Sequence, residues 1–285
     1  MYNVLKPEYI WRPRQILRRL SFKPAKDTTL SLPWNCTINA SSTDTIGRSI
    51  ATQGVYDLPI TEAITRLADS GETVLDVGAN IGYMSLVLAL AAGSRGRVIS
   101  FEPNPDVLPR LNKNLAGWKS LKIAPIEVKT IALSDKAGQA FLGFPSDYEE
   151  NSGVASLEVD GTVPVELRRL DSLEIERAGV MKVDVEGHET SVFLGAHNLL
   201  AARRIRDILF EEHHAYPATS HKILLDHGYK IYRLTRSIWR PLLLPPEAPS
   251  RQEYLPSNYL ATADASRAEQ RFESWGWHAL SNGRR

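Results

Sequence analysis

Two clusters of residues in this sequence have the types and the spacing to do chemistry. The first is Asp76-Val77-Gly78-Ala79-Asn80-Ile81-Gly82, with Glu102-Pro103-Asn104-Pro105 further along the chain. The second is Lys182-Val183-Asp184-Val185-Glu186-Gly187-His188-Glu189 together with Glu211-Glu212-His213-His214. In the first cluster, Gly78 lets the chain turn sharply and lets backbone approach a ligand, while Gly82 lets a following helix pack closely. The N-terminus of that helix would present unpaired N–H groups and positive dipole to a carboxylate. Asp76 can accept from an ammonium group or from the loop itself. Glu102 falls where an acidic residue accepts from the hydroxyls of a ribose in nucleotide-binding sheets. Other readings stand beside these: a left-handed turn with no ligand for the glycines, and a helix N-cap for Glu102.

Asn80 occupies the place of the second glycine in G-x-G-x-x-G, and no G-x-x-x-x-G-K occurs anywhere. Dinucleotide and ATP readings lose ground accordingly. In the second cluster, strand alternation puts Asp184 and Glu186 on one face and Glu211 and His213 on one face of the neighbouring run. Carboxylates emerging into a cleft have raised pKa values, and a histidine there can act as a base near neutrality. His213 is the first choice for proton removal, then Asp184 or Glu186, with Glu211 beside them; the alternative for His213 and His214 is a solvated strand end. The same oxygen-rich set could hold a divalent ion such as Mg²⁺, although no metal ligand is assigned. Lys182 reads as a strand residue packing beneath the site, Asp171 as an N-cap with Glu174, and Glu189 as a complement to a helix dipole.

The elements that must position these residues follow from periodicity. From residue 73, the runs TVLDV, RVISF and IEVKTIAL alternate with the helical IGYMSLVLALAA and PDVLPRLNKNLAG. VMKVDV, HETSVFLGAHNLLAA, RDILFEEH, TSHKILLDHG and YKIYRLT continue the alternation, which argues for βαβ units and a parallel sheet buried on both faces. GQAFLGF, GVASLEV and TVPVELRRL interrupt it as a β insertion at about 138–168. RPLLLPPEAP reads as a loop and SNYLATA as a last edge strand. Residues 1–70 form an extension with a basic arm, a β-rich lead-in and a helix at about Pro59–Ala68; 71–263 form the core; and 264–285 form a tail that packs as a helix or frays.

Composition sets the outer limits. The 285 residues carry 34 basic and 33 acidic side chains, net charge +1, so no global field points to nucleic acid. Cys36 is the sole cysteine and can form neither an internal disulfide nor a cysteine zinc cluster, which is compatible with a reducing cytoplasm. The opening MYNVLKPEYIWRPRQILRRL lacks the apolar stretch of a signal peptide, and Ile81–Ala92 is too short to span a bilayer. A cytoplasmic protein is expected. Arg12, Arg14, Arg18 and Arg19 among Trp11, Ile16, Leu17 and Leu20 could make peripheral contact with lipid or a partner, or simply form a solvated basic face.

The segments D-V-G-A-N-I-G-Y-M-S, F-E-P-N-P, I-A-L-S-D, L-D-S-L and M-K-V-D-V-E-G-H-E resemble the FkbM family of S-adenosylmethionine-dependent methyltransferases over about residues 45–235. That resemblance implies an α/β, Rossmann-like class I methyltransferase fold: a doubly wound, largely parallel sheet with an antiparallel strand at its edge. It implies S-adenosylmethionine as methyl donor, held by Asp76, Gly78, Ala79, Asn80, Gly82, Glu102, Pro103 and Asn104, with Asp184 at the facing strand end. Ser134 and Asp135 correspond to the adenine-side loop, where Asp135 could instead cap a turn, and Tyr56 could fold over the donor or pack in the core. The family implies O-methylation of a hydroxyl on a sugar, glycan or secondary metabolite. An amine or carboxylate acceptor, or a non-catalytic binding protein on the same fold, is the alternative. The N-P-P-Y loop of DNA amino-methyltransferases is replaced by D-V-E-G, so no nucleic-acid partner is expected. Acceptor choice would lie in Pro145–Val163, in the loops after strands five and six and in the terminal extensions; Tyr216, Tyr229, Tyr232, Trp239 and Tyr254 could line the acceptor pocket, but core packing is the commoner role for such residues.

Overall fold

The computed structural model describes residues 6–144, 156–158, 161–249 and 257–281. Two short helices, α1 (Pro7–Ile10) and α2 (Arg14–Leu20), lead into a hairpin of β1 (Thr28–Ser31) and β2 (Thr37–Ala40). Helix α3 (Thr45–Gln53) follows, an addition to the one helix expected in this extension. Its caps explain it: the Asp44 carboxylate accepts from Gly47 N at 2.8 Å, and Gly54 closes the helix at φ 86°. Helix α4 (Leu58–Leu67) starts at Asp57, whose carboxylate accepts from Ile60 N, and ends within a residue of the expected Ala68.

The alternating region builds the main sheet. β3 (Thr73–Val77), α5 (Tyr83–Ala92), β4 (Arg97–Phe101), α6 (Leu108–Trp118) and β5 (Ile126–Lys129) come first. The third strand run then breaks: β6 (Ala132–Leu133) leaves the main sheet and pairs with β9 (Val163–Arg168). β9 also pairs with β7 (Gly138–Gly143), and β7 with β8 (Ser156–Glu158), so the insertion is a four-stranded sheet of its own. The main sheet resumes with β10 (Ala178–Val183). The single helix expected after it is two, α7 (Glu189–Gly195) and α8 (His197–Ala201), and Asp171 caps the second, accepting from Asn198 N and Leu199 N. β11 (Ile205–Glu212), α9 (Thr219–Asp226), β12 (Lys230–Arg236), β13 (Pro241–Leu244), β14 (Ser257–Thr262) and α10 (Ala265–Glu273) complete the chain.

The eight strands run in the order β13-β12-β14-β11-β10-β3-β4-β5. From β5 to β11 every pairing is parallel, and β14 enters antiparallel between β11 and β12. This is the class I methyltransferase sheet, and it corrects two expectations. SNYLATA, expected as the last edge strand, is the internal β14, and the antiparallel edge strand is β13, formed by the PLLL that reads as loop. Pro241 suits it, because an edge strand does not need every N–H.

Strand alternation divides the core between the two faces. Val74, Val98, Val180, Leu209 and Leu260 pack with α4, α5 and the β2 residues Ile38 and Ala40. Leu75, Ile99, Met181, Ile208 and Ala261 pack on the other face with Val192, Phe193, Leu200 and Leu224 of α7–α9. The tail is anchored as well. Buried Glu62 accepts from His278 N and Ala279 N, and Arg66, paired with it at 2.7 Å, donates to the carbonyls of Arg271, Ser274 and Gly276.

Candidate active site

A cavity of about 250 Å³ opens at the carboxyl ends of β3, β4, β10 and β11. Strand order reverses between β3 and β10, with β4 and β5 following β3 outward on one side and β11 following β10 on the other, so this is where a doubly wound sheet leaves a crevice. One wall is the loop from β3 to α5. Gly78 sits at φ 81°, and a Cβ there would meet the Asp184 carbonyl oxygen at 1.9 Å, so any side chain would drive the two strand ends apart. Asn80 also adopts the left-handed region, at φ 49°, with its side-chain oxygen accepting from Ile81 N. Gly82, at φ 90°, leaves room for Leu111 of α6, and no described side chain caps the α5 N-terminus that follows.

Glu102 holds this loop in place. Its two carboxylate oxygens accept from Asn80 N at 2.7 Å and Asn104 N at 2.8 Å. The group is nearly buried, and that burial lifts its pKa to about 7 despite the two N–H donors. Beneath the loop, Lys182 donates to the Gly78 carbonyl at 2.9 Å and lies 3.3 Å from Asp184 and 3.7 Å from Asp76. Burial works against its charge, but Asp184 and Asp76 prevail and hold its pKa above the ordinary lysine value. Asp76 accepts from Ser85 at 2.5 Å and is fully buried, behind the cavity wall rather than on it.

The opposite wall is made of strand ends. Asp184, Glu186, Glu211 and His213 all line the cavity, so the residues expected to share a site do so. Glu186 has φ 51° and stands in a turn with Gly187 at φ 91°, so strand alternation did not place it; the turn did. Desolvation and the neighbouring Asp184 raise Glu186 to about 7 and Glu211 to about 8. Among the described residues neither carboxylate accepts a hydrogen bond, in contrast to Glu189, which accepts from Val185 N and Gly187 N and shapes the turn. Glu212 points away, bonded to Ser220 and His214. Tyr56 closes one side, edge-on to Tyr83 at 5.9 Å, and burial with Asp184 and Asp57 nearby keeps its phenol protonated.

Other expected residues fall outside. Gly78, Ala79, Asn80, Pro103 and Asn104 are in the wall, but Ser134 and Asp135 are not. Ser134 is buried and bonds Asp135 and His188 Nε2, each at 3.0 Å. It therefore orients His188, a cavity residue that sequence reasoning passed over. Also passed over were Thr45 and Ile46 of α3, which the Asp44 and Gly54 caps could have signalled, and an apolar side made by Phe101, Val107, Ile131, Leu133 and Leu142. None of Tyr216, Tyr229, Tyr232 and Trp239 reaches the cavity: Tyr229 and Tyr232 are core, and Trp239 is on the surface. Tyr254 and most of Pro145–Val163 lie outside the described residues. The Mg²⁺ reading finds no support. Among the described residues no three acidic, histidine or cysteine side chains are placed to hold an ion.

Fold and cavity together define a class I methyltransferase scaffold. The Methyltransferase FkbM domain matches residues 76–231, more than half the chain, and the protein belongs to that family. Hexuronic acid methyltransferase AglP of Haloferax volcanii is 29% identical over 137 residues, 47% of this chain and 53% of the relative. AMB antimetabolite synthetase AmbE of Pseudomonas aeruginosa is 29% identical over 218 residues, 62% of this chain but 10% of that protein. The chain thus spans about half the length of one curated relative and a tenth of the other. Among solved structures, methyltransferase FkbM from Methylobacillus flagellatus KT aligns with TM-score 0.44 and 18% identity, covering 68% of this chain and 44% of that one. No helix among the described residues is long and apolar enough to cross a membrane.

Proposed function

We propose that the protein transfers the methyl group of S-adenosylmethionine to a hydroxyl of a sugar, glycan or secondary metabolite. One observation carries this reading: a ribose-type carboxylate with an uncapped helix N-terminus on one wall faces a base-bearing wall across a single cavity. The residues fit the donor. Glu102 keeps lone pairs for the ribose hydroxyls, the α5 N-terminus suits the carboxylate of the methionine portion, and Phe101, Val107, Leu133 and Leu142 form an apolar side for the adenine. Asp184, in the wall, is better placed than Asp76 for the ammonium group, while Asp76 and Lys182 support the loop from behind.

When bound, the donor supplies an electrophilic methyl group on a sulfonium sulfur. His213 takes the hydroxyl proton as the oxygen–methyl bond forms and the sulfur–methyl bond breaks. Glu211, protonated at neutral pH, can donate a hydrogen bond that orients the acceptor, and Tyr56 shields the reacting atoms from water. The name of AglP supports a sugar acceptor. The test is a donor-consumption screen of sugars, glycans and metabolite extracts with mass spectrometry of the products. A product heavier by one CH₂, with the methyl on oxygen, is expected; methylation confined to amines or carboxyls would overturn the O-methylation reading.

A further inference from the structure

Away from the cavity, three tryptophans surround one turn. Trp11, Trp239 and Trp275 are 43%, 51% and 71% exposed. They converge through specific contacts. The indole N–H of Trp11 donates to the Ile238 carbonyl at 3.2 Å, and the Trp11 ring lies over Gly276. Gly276 N donates to the Trp239 carbonyl at 3.0 Å, and the Arg240 guanidinium sits 5.9 Å above the Trp275 ring. Helix α2, which starts three positions after Trp11, leaves Leu17 and Leu20 at 67% and 80% exposure. Large apolar side chains scattered singly need no explanation, but a group gathered from three chain segments marks an interaction surface.

The charge around the patch is one-sided. Arg14 and Arg18 of α2 are exposed, and from Lys6 to Lys23 the only carboxylate is Glu8. Glu8 is buried and paired with Arg236 at 2.6 Å, so it offers nothing to the outside. The turn after β12 adds Arg240 as a neighbour, and the tail carries three exposed acids, Asp264, Glu269 and Glu273, of which Asp264 caps α10 and Glu269 pairs with Lys230. Because the whole chain carries only +1, this excess is local. The patch also shares an end of the sheet with the cavity. β11 and β12 are both antiparallel to β14, hence parallel to each other, so the Ser237–Arg240 turn leaves β12 at its carboxyl end. β12 stands three places from β10, roughly 14 Å at ordinary strand spacing.

We propose that this surface docks the protein on an anionic lipid bilayer, with the indoles at headgroup level and the arginines against acidic headgroups, holding the cavity end of the sheet near the membrane. Indoles prefer the membrane–water interface, and exposed leucines beside a basic face are the composition of an interfacial helix. Each basic side chain near an anionic surface strengthens binding about fivefold.

The experiment is sedimentation of the full chain with phosphatidylcholine vesicles and with phosphatidylcholine–phosphatidylglycerol vesicles, together with tryptophan emission. Binding to the anionic vesicles alone is expected, weakened by salt and accompanied by a blue shift. Arg14→Glu with Arg18→Glu should weaken binding by about 25-fold or more. Trp239→Ser with Trp275→Ser should weaken it about tenfold and remove the blue shift. Both pairs are exposed, and unchanged Tm and donor binding would show that the variants fold. Absence of binding to anionic vesicles at low salt would overturn the proposal in favour of a protein partner. Binding indifferent to the tryptophan pair would overturn it too. Neither result touches the donor-binding reading, which is measured without lipid.

Discussion

The two walls of the cavity, proposed to take the methyl donor and the acceptor, are built on different principles. On the donor wall, backbone geometry does nearly everything: Gly78 is required by the Asp184 carbonyl, and Glu102 is satisfied by two N–H groups of the loops it joins. On the acceptor wall, Glu186 and Glu211 crowd Asp184, accept no hydrogen bond among the described residues, and hold protons to about 7 and about 8. A wall made of backbone is rigid and general; it can hold one ligand whatever the rest of the protein does. A wall of unsatisfied titratable side chains awaits a partner, and its preference can change with few substitutions.

If the donor wall depends on close backbone approach, its glycine should be the least replaceable residue in the site. Gly78→Ala puts a Cβ on the Asp184 carbonyl in a left-handed conformation. It should abolish donor binding and lower stability by about 3 kcal/mol or more, read by calorimetric titration and thermal unfolding. A fully active G78A protein would remove the basis for calling this wall rigid. On the other wall, His213→Ala should leave donor affinity within about twofold while turnover falls about 10²–10⁴-fold. Unchanged turnover would take the base role away from His213.

The titration of the cavity carboxylates gives a smaller and more diagnostic effect. Glu102, Glu186 and Glu211 stay protonated to about 7, 7 and 8, above the ordinary carboxylate value of 4.5. A donor with net positive charge favours their ionised forms, so binding should release protons. Donor affinity should therefore rise as pH increases through that range, about tenfold in total. Titration in buffers of different ionisation enthalpy would count the protons. Glu211→Gln should flatten the upper part of the profile; an identical profile would mean that Glu211 does not sense the donor.

The same contrast explains what the sequence made legible. Asp76 to Gly82 and Glu102 are local signals, because turn geometry and helix packing are encoded within a few residues. Glu211 and His213 were also readable, as charges at the end of an apolar strand. The insertion of β14 between β11 and β12 depends on pairing between segments far apart, and nothing in SNYLATA distinguishes an internal strand from an edge one. His188 was missed because its role rests on Ser134, 54 positions away, and α3 because its apolar residues are few and its caps went unread. Asp76 was placed one layer too far forward: from sequence, a carboxylate facing a ligand and one buried against Ser85 and Lys182 look alike.

On the proposed function, the β3–α5 loop and Glu102 form the donor site. Equilibrium titration of S-adenosylmethionine into the wild-type protein and Glu102→Ala tests it most directly. Saturable binding by the wild type is expected, with about 100-fold loss on removing a carboxylate that both meets the ribose and satisfies two backbone N–H groups. No binding by folded wild-type protein at millimolar donor, or equal affinity in the two proteins, would contradict it.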